Sequence, residues 1–248
     1  MITNYHRPET IEEALNLLKL PATLPMGGGT GLNSPAYRDQ NISVVDLQSL
    51  NLNHIRETGS SLEIGATVTL QQLLESPNIP AALQEAIRQE ATLNIRNAAT
   101  VAGALAACDG RSAFGTMMLA LDAKLTIVRP ETSTLGLAEY WALRPKGLIT
   151  QIEIPLNVKT AYEQVARTPA DLAIVAAGLA QWNSGRTRLA LGGYGKIPLL
   201  AMDGTEADGL AAAAKNTFHE AIDAWASAEY RMDVAATLAK RCLEAVQR

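Results

Sequence analysis

The sequence predicts an α+β fold: a mixed helix-and-strand region, then a three-stranded sheet with C-terminal helices. Three observations carry this reading. The first 155 or so residues interleave β-branched runs such as "NISVVDL" with capped amphipathic segments such as "TIEEALNLLK". Between residues 161 and 195, three strand-like runs follow one another with no helix between them. Beyond about residue 205 the chain reads as helix. Regular βαβ alternation is absent, and the change in character puts a boundary near Pro155 to Thr160.

Thr10 followed by Glu13 forms a capping box, and Ile11, Ala14, Leu15 and Leu18 share one face, so a helix spans 10–19. The β-branched run 41–47 predicts a strand. A second strand at 62–66 leads into a helix boxed by Thr69 and Gln72. Pro80 opens a further helix. "TMMLALDAKLTIV" reads as helix into strand, and 147–155 as another strand. Of the three later strands, "DLAIVAAGLAQW" is nearly continuously apolar, the mark of a buried strand. The last helix carries an expected apolar stripe of Ala228, Tyr230, Val234, Leu238, Cys242 and Val246.

Composition narrows the function. The 248 residues are 48% hydrophobic and 19% charged with net charge −4, a balance that argues against nucleic acid as a main partner. The polar, acidic start "MITNYHRPETIEE" lacks the order of a signal peptide, and the longest uncharged apolar run, Leu172–Trp182, falls short of a bilayer span; a cytoplasmic location is expected, with no membrane partner. Cys108 and Cys242 lie far apart, and His6, His54 and His219 are scattered, so no metal-ligand spacing exists.

Two small-residue stretches stand out. "PMGGGTGLN" (25–33) places Gly27, Gly28, Gly29 and Gly31 around Thr30. Glycine runs serve either tight turns or close backbone approach, and the second use suits a cradle of N–H groups for phosphate. No Gly-Lys-Ser/Thr follows, and Asn33, Ser34 and Pro35 interrupt any long helix, so neither common nucleotide motif is matched. "ATVAGALAA" (99–107) is thin in the same way, for a ligand or for close helix packing. Asp109 in "CDGRS" reads as an Asx-turn residue or an acid–base group, and Arg111 as a phosphate ligand or a solvated turn cation. Asp171 either caps a strand or orients Arg167. No nucleophile–base pair is suggested by spacing, and no catalytic residue is assigned.

Taken in order, these segments resemble the FAD-binding (medium) subunit of the molybdenum hydroxylases, the xanthine dehydrogenase and carbon monoxide dehydrogenase group. The resemblance runs through "YHRPETIEEALNLL", "GGGTGL", "VVDLQSLNLNHI", "LEIGATVTLQQLLES", "IRNAATVAGALAACD", "MLALDAKLTIV", "RTPADLAIVAAG", "RLALGGYGKIPLL" and "YRMDVAATLAKR", nearly the whole chain. It implies a p-cresol methylhydroxylase-type FAD-binding domain over 1–156, in subdomains of about 1–53 and 54–156, and a C-terminal domain over 157–248. It implies an oxidoreductase component, inactive by itself on the organic substrate, that passes electrons from [2Fe-2S] clusters of a small subunit through FAD to an external acceptor. Molybdopterin would reside in a large subunit. FAD-contacting residues carried over by the resemblance are Met26, Gly27, Gly28, Gly29, Thr30, Gly31, Thr100, Gly103, Ala104, Asp109 and Ile149, the last packing near the flavin ring.

The chain departs from the family pattern at several of these points. Gly31 stands where the family usually has an acidic residue, Ala102 replaces a glycine, Ala104 an asparagine and Ala113 an aspartate often found there; Glu163 stands where several relatives have lysine. Segment 129–147 is shorter than usual. The departures leave a second reading, a flavin-poor homologue acting as a structural or interaction subunit.

Overall fold

The Thr10 hydroxyl accepts from the Glu13 N–H and starts helix α1 (Ile11–Leu18), as the sequence predicts. Residues 1–34, 37, 39–169 and 171–248 are described in this computed structural model. Pro35 and Ala170, which fall within two of the motifs above, lie outside the described residues.

The chain divides by its internal contacts into two compact units. The first comprises 1–76, 93–107 and 124–153. It holds a parallel sheet of β1 (Ile2–His6), β2 (Thr23–Met26) and β3 (Ile42–Asp46) in the order β1-β3-β2. β3 is the expected strand; its Ile42, Val44 and Val45 are buried. β1 and β2 had no sequence signal, since β1 is short and largely exposed.

A second sheet of the same unit orders its strands β4-β5-β8-β6-β7, from β4 (Ile55–Thr58), β5 (Ser61–Gly65), β6 (Lys124–Val128), β7 (Thr132–Gly136) and β8 (Leu148–Pro155). Thr69 and Gln72 form the reciprocal capping box of α2 (Leu70–Glu75). Short helices α4 (Leu93–Ala98) and α5 (Val101–Ala106) occupy the second small-residue stretch, and α7 (Leu137–Leu143) follows β7.

The second unit comprises 77–92, 108–123 and 154–248. Its sheet runs β12-β11-β10-β9, all antiparallel, from β9 (Val158–Val165), β10 (Val175–Trp182), β11 (Thr187–Gly192) and β12 (Leu199–Gly204). The three expected strands are present, and β12 joins them as a fourth at the edge, where its half-exposed side chains leave little apolar pattern to read. Helices α8 (Leu210–Thr217) and α9 (Ala228–Gln247) bury Leu179, Leu189 and Leu191 on one face. Helices α3 (Ala81–Glu90) and α6 (Ala113–Ala120) cover the other. Gly178 and Gly192 admit α6: a Cβ on Gly178 would stand 3.3 Å from the Met117 Cα, and one on Gly192 would overlap the Thr116 hydroxyl. Cover on both faces is why β10 reads as a continuous apolar run.

The C-terminal stripe is corrected at its start. Leu238, Cys242 and Val246 are buried as expected, but Tyr230 is exposed and Arg231 takes the inward position. Its guanidinium donates to the Ile174 and Ala221 carbonyls at 3.2 and 2.9 Å and to both Asp223 carboxylate oxygens at 2.9 Å. A cation so fully paired is tolerated inside, which apolar periodicity does not reveal. The stretch 219–226, expected as helix, is irregular; Asp223 organises it by accepting from the Trp225 and Ala226 N–H groups.

Arg231→Leu should lower stability by about 3 kcal/mol, because the Ile174 and Ala221 carbonyls lose their donor; urea denaturation measures it. Burial alone would raise the Asp223 pKa, but the Arg231 hydrogen bonds and the two N–H groups outweigh it and hold the carboxyl below its usual range. That contribution is complete above the unfolded aspartate pKa and disappears as pH falls through the lower folded value. Asp223→Asn should therefore flatten the acid limb of the stability profile.

Candidate functional site

The glycine loop leaves the end of β2, and its carbonyls are engaged almost one by one. The Met26 oxygen accepts from the Leu47 N–H at 3.0 Å, that of Gly27 from Gln48 Nε2 at 2.8 Å, that of Gly29 from the Leu32 N–H at 3.1 Å and that of Gly31 from the Ser34 N–H at 3.2 Å. Among the described residues, the N–H groups of Gly27, Gly28, Gly29, Thr30 and Gly31 have no acceptor. The loop is thus polarised, with four of the six carbonyls from Met26 to Gly31 engaged and its donors free, and it ends in a 3₁₀ turn at Gly31–Asn33. Such a run of unpaired N–H groups attracts an anion without any basic side chain.

The second stretch is fastened beside it. Thr100 bridges Thr69, the Leu70 N–H donates to the Ala99 carbonyl at 2.9 Å, and the Val101 N–H donates to Val68 at 2.8 Å. The Thr100 hydroxyl accepts from the Gly103 N–H at 3.2 Å and caps α5. Within "ATVAGALAA" a short helix packs, burying Val101, Ala102 and Leu105. Trp141 Nε1 donates to the Leu105 carbonyl at 2.9 Å and Arg144 to that of Ala106 at 2.7 Å, which satisfies the C-terminal end of α5.

Contact between the two stretches explains two glycines. A Cβ on Gly27 would stand 2.5 Å from the Thr100 hydroxyl oxygen, and one on Gly28 would overlap the Ala98 carbonyl oxygen. Gly29 has φ +72°, a left-handed conformation that L residues rarely adopt. Gly31 is unlike these, with only the Ala107 Cβ near, at 3.9 Å.

The sequence-derived residues therefore fall into three places. Met26 to Gly31, Thr100 and Gly103 are gathered in one cluster of the first unit, with Ala104 half-buried on α5. Ile149 lies in the other sheet of that unit, buried and paired with Ile127 next to a register shift between β6 and β8. Asp109 belongs to the second unit, where it accepts from the Arg111 N–H at 2.8 Å in an Asx-turn. Arg111 donates to the Leu172 and Ala173 carbonyls and lies 4.5 Å from the Trp225 ring centroid, while Arg167 bonds Asp171 at 2.7 Å. Glu163 pairs in register with Ala177, and its charge acts on Cys242, whose thiol burial pushes up to about 12. That thiol is unreactive at neutral pH.

Sequence reading missed the support beneath the loop. Asp46, at the end of β3, is buried; it accepts from the Tyr5 hydroxyl and from the Gln48 N–H at 3.0 Å, with Arg7 at 4.0 Å. The bond to Asp46 raises the Tyr5 pKa. These partners lie about forty positions apart in sequence, and no local signal links them. Among the described residues, no group of His, Cys, Asp or Glu is placed to hold a metal, and no helix is long and apolar enough to cross a membrane.

Residues 1–157 match the family model described as the FAD binding domain in molybdopterin dehydrogenase. The chain belongs to that family. It is 30% identical to the carbon monoxide dehydrogenase medium chain of Afipia carboxidovorans, over 97% of this chain and 95% of that one. It is 32% identical to the uncharacterised protein YgfM of Escherichia coli (strain K12), over 82% of this chain and 79% of that one. The reconstituted CO dehydrogenase from Oligotropha carboxidovorans contains a chain of the same fold, with a TM-score of 0.84, 28% identity and coverage of 98% and 96%. The α+β fold is thus that of the FAD-binding family, and the cofactor of this domain is FAD, one that the free N–H groups of Gly27 to Gly31 fit through its diphosphate.

Gly28→Ala should lower the melting temperature by several degrees, since overpacking against backbone costs about 1–3 kcal/mol, whereas Gly31→Ala should leave it within about one degree. Thermal denaturation of the two variants side by side checks this.

Proposed function

We propose that this chain is the FAD-binding electron-transfer subunit of a molybdenum hydroxylase, working in the cytoplasm beside a molybdopterin-binding large subunit and a [2Fe-2S] small subunit. The polarised loop is the observation that carries the reading. Its five free N–H groups, with the Met26, Gly27, Gly29 and Gly31 carbonyls engaged elsewhere, supply what a diphosphate needs. In this reading the backbone of Met26 to Gly31 holds the diphosphate, Thr100, Gly103 and Ala104 flank it, and Ile149 packs near the flavin ring. Bound FAD supplies the redox chemistry, carrying electrons from the [2Fe-2S] clusters to an external acceptor. The protein's own part is binding, orientation and exclusion of side reactions, with no catalytic side chain. The FAD-binding domain is proposed to span 1–156, in subdomains of about 1–53 and 54–156, with 157–248 as the C-terminal domain.

A flavin-poor structural subunit is the second reading, favoured by Gly31, Ala104 and Ala113, which offer no side-chain hydrogen bond where the family has polar residues. Each bond so lost costs about 1 kcal/mol of binding. Absorption spectroscopy of the purified chain decides between them. We expect a flavin spectrum with about one FAD per chain. A chain that stays colourless with added FAD, even in the presence of its partner subunits, would establish the second reading.

A further inference from the structure

We propose that Gln48 is a positioning residue for the diphosphate site, an inference that rests on the FAD reading above. In a trans peptide the carbonyl and the following N–H point in opposite directions. Holding the Gly27 carbonyl toward Gln48 therefore turns the Gly28 N–H the other way, to the side left without acceptors. The same reasoning applies to the Met26 carbonyl, held by the Leu47 N–H at 3.0 Å, and hence to the Gly27 N–H. Of the four donors that fix loop carbonyls at Met26, Gly27, Gly29 and Gly31, three are backbone N–H groups and Gln48 is the side chain.

Its peptide is also the one that most needs fixing. The Gly27–Gly28 unit lies between two glycines and leads into Gly29 at φ +72°, so no side chain of its own limits the turning of its plane. Gln48 is itself held, because its N–H donates to Asp46, which Tyr5 secures from β1. The strand-end aspartate, the glutamine two residues on and the loop carbonyl form a relay that sets the Gly28 N–H before any ligand arrives. Preorganisation of this kind appears in affinity rather than in fold stability.

The intact 248-residue chain provides the test. FAD is titrated by flavin fluorescence and ADP, which carries the diphosphate without the flavin, by calorimetry. Gln48→Leu should weaken both by the same factor, about tenfold, with the melting temperature unchanged. Ser49→Ala, in the same turn, should bind like wild type. Gln48→Lys, which keeps an N–H donor, should return ADP affinity to within about twofold of wild type at high salt, where its added charge is screened. Wild type and Gln48→Leu binding ADP equally, or Gln48→Lys failing as badly as Gln48→Leu, overturns the positioning role and leaves the FAD reading standing. A wild-type chain that binds neither FAD nor ADP overturns both.

Discussion

Everything at the candidate site depends on one asymmetry of the main chain between Met26 and Gly31. Peptide groups come with a donor and an acceptor in equal number, so a loop becomes an anion receptor only if something else consumes its carbonyls. Here the consumers are the segment after β3, through Leu47 and Gln48, and the 3₁₀ turn that closes the loop on itself. The parallel pairing of β2 with β3 brings the loop and residues 47–48 to the same end of the sheet, because both strands finish there. The sheet is thus less a core than a jig. Its small size is no handicap, since the second stretch, fastened by Thr69 and Thr100, braces the loop from another side.

The second unit solves a different problem, packing helices on both faces of a four-stranded sheet. Small residues on β10 and β11 let α6 approach closely, and larger ones meet α8 and α9 opposite. Charge is handled locally. Arg188, almost fully buried, shares Asp122 and Asp203 with Arg186, so that two cations and two carboxylates neutralise one another along β11 and β12. Glu90 at the end of α3 accepts from the Ser112 hydroxyl and the Phe114 N–H, both at 2.9 Å, and so occupies the start of α6; burial raises its pKa. That carboxylate takes up donors near Ala113, the position where the family pattern has an aspartate.

Local signals in the sequence are legible where a residue's role is settled by its neighbours in the chain. Thr10 with Glu13 and Thr69 with Gln72 cap as their spacing implied, and the β-branched run at 42–46 is a strand. Roles settled by distant partners were not legible. Arg231 sits at a position any hydropathy rule assigns to solvent, because the carbonyls that receive it come from residues 174 and 221. β1 carries too little apolar surface to announce itself, and β12 alternates too weakly. At the site, glycine content showed that backbone would come close to something. It did not show that for Gly27 and Gly28 the close neighbour is protein, Thr100 and Ala98, while the free N–H groups belong to the same residues. Side-chain identity could not expose Gln48, whose importance lies in one bond to a carbonyl.

The contact between Gly28 and Ala98 is main chain against main chain. It imposes a lopsided evolutionary constraint. Position 28 must remain glycine whatever happens elsewhere, while this contact asks nothing of the side chain at position 98, whose carbonyl every amino acid would supply equally. Two residues that touch will therefore show no correlated change across descendants of this chain. A method that infers proximity from paired substitutions would be blind to this contact.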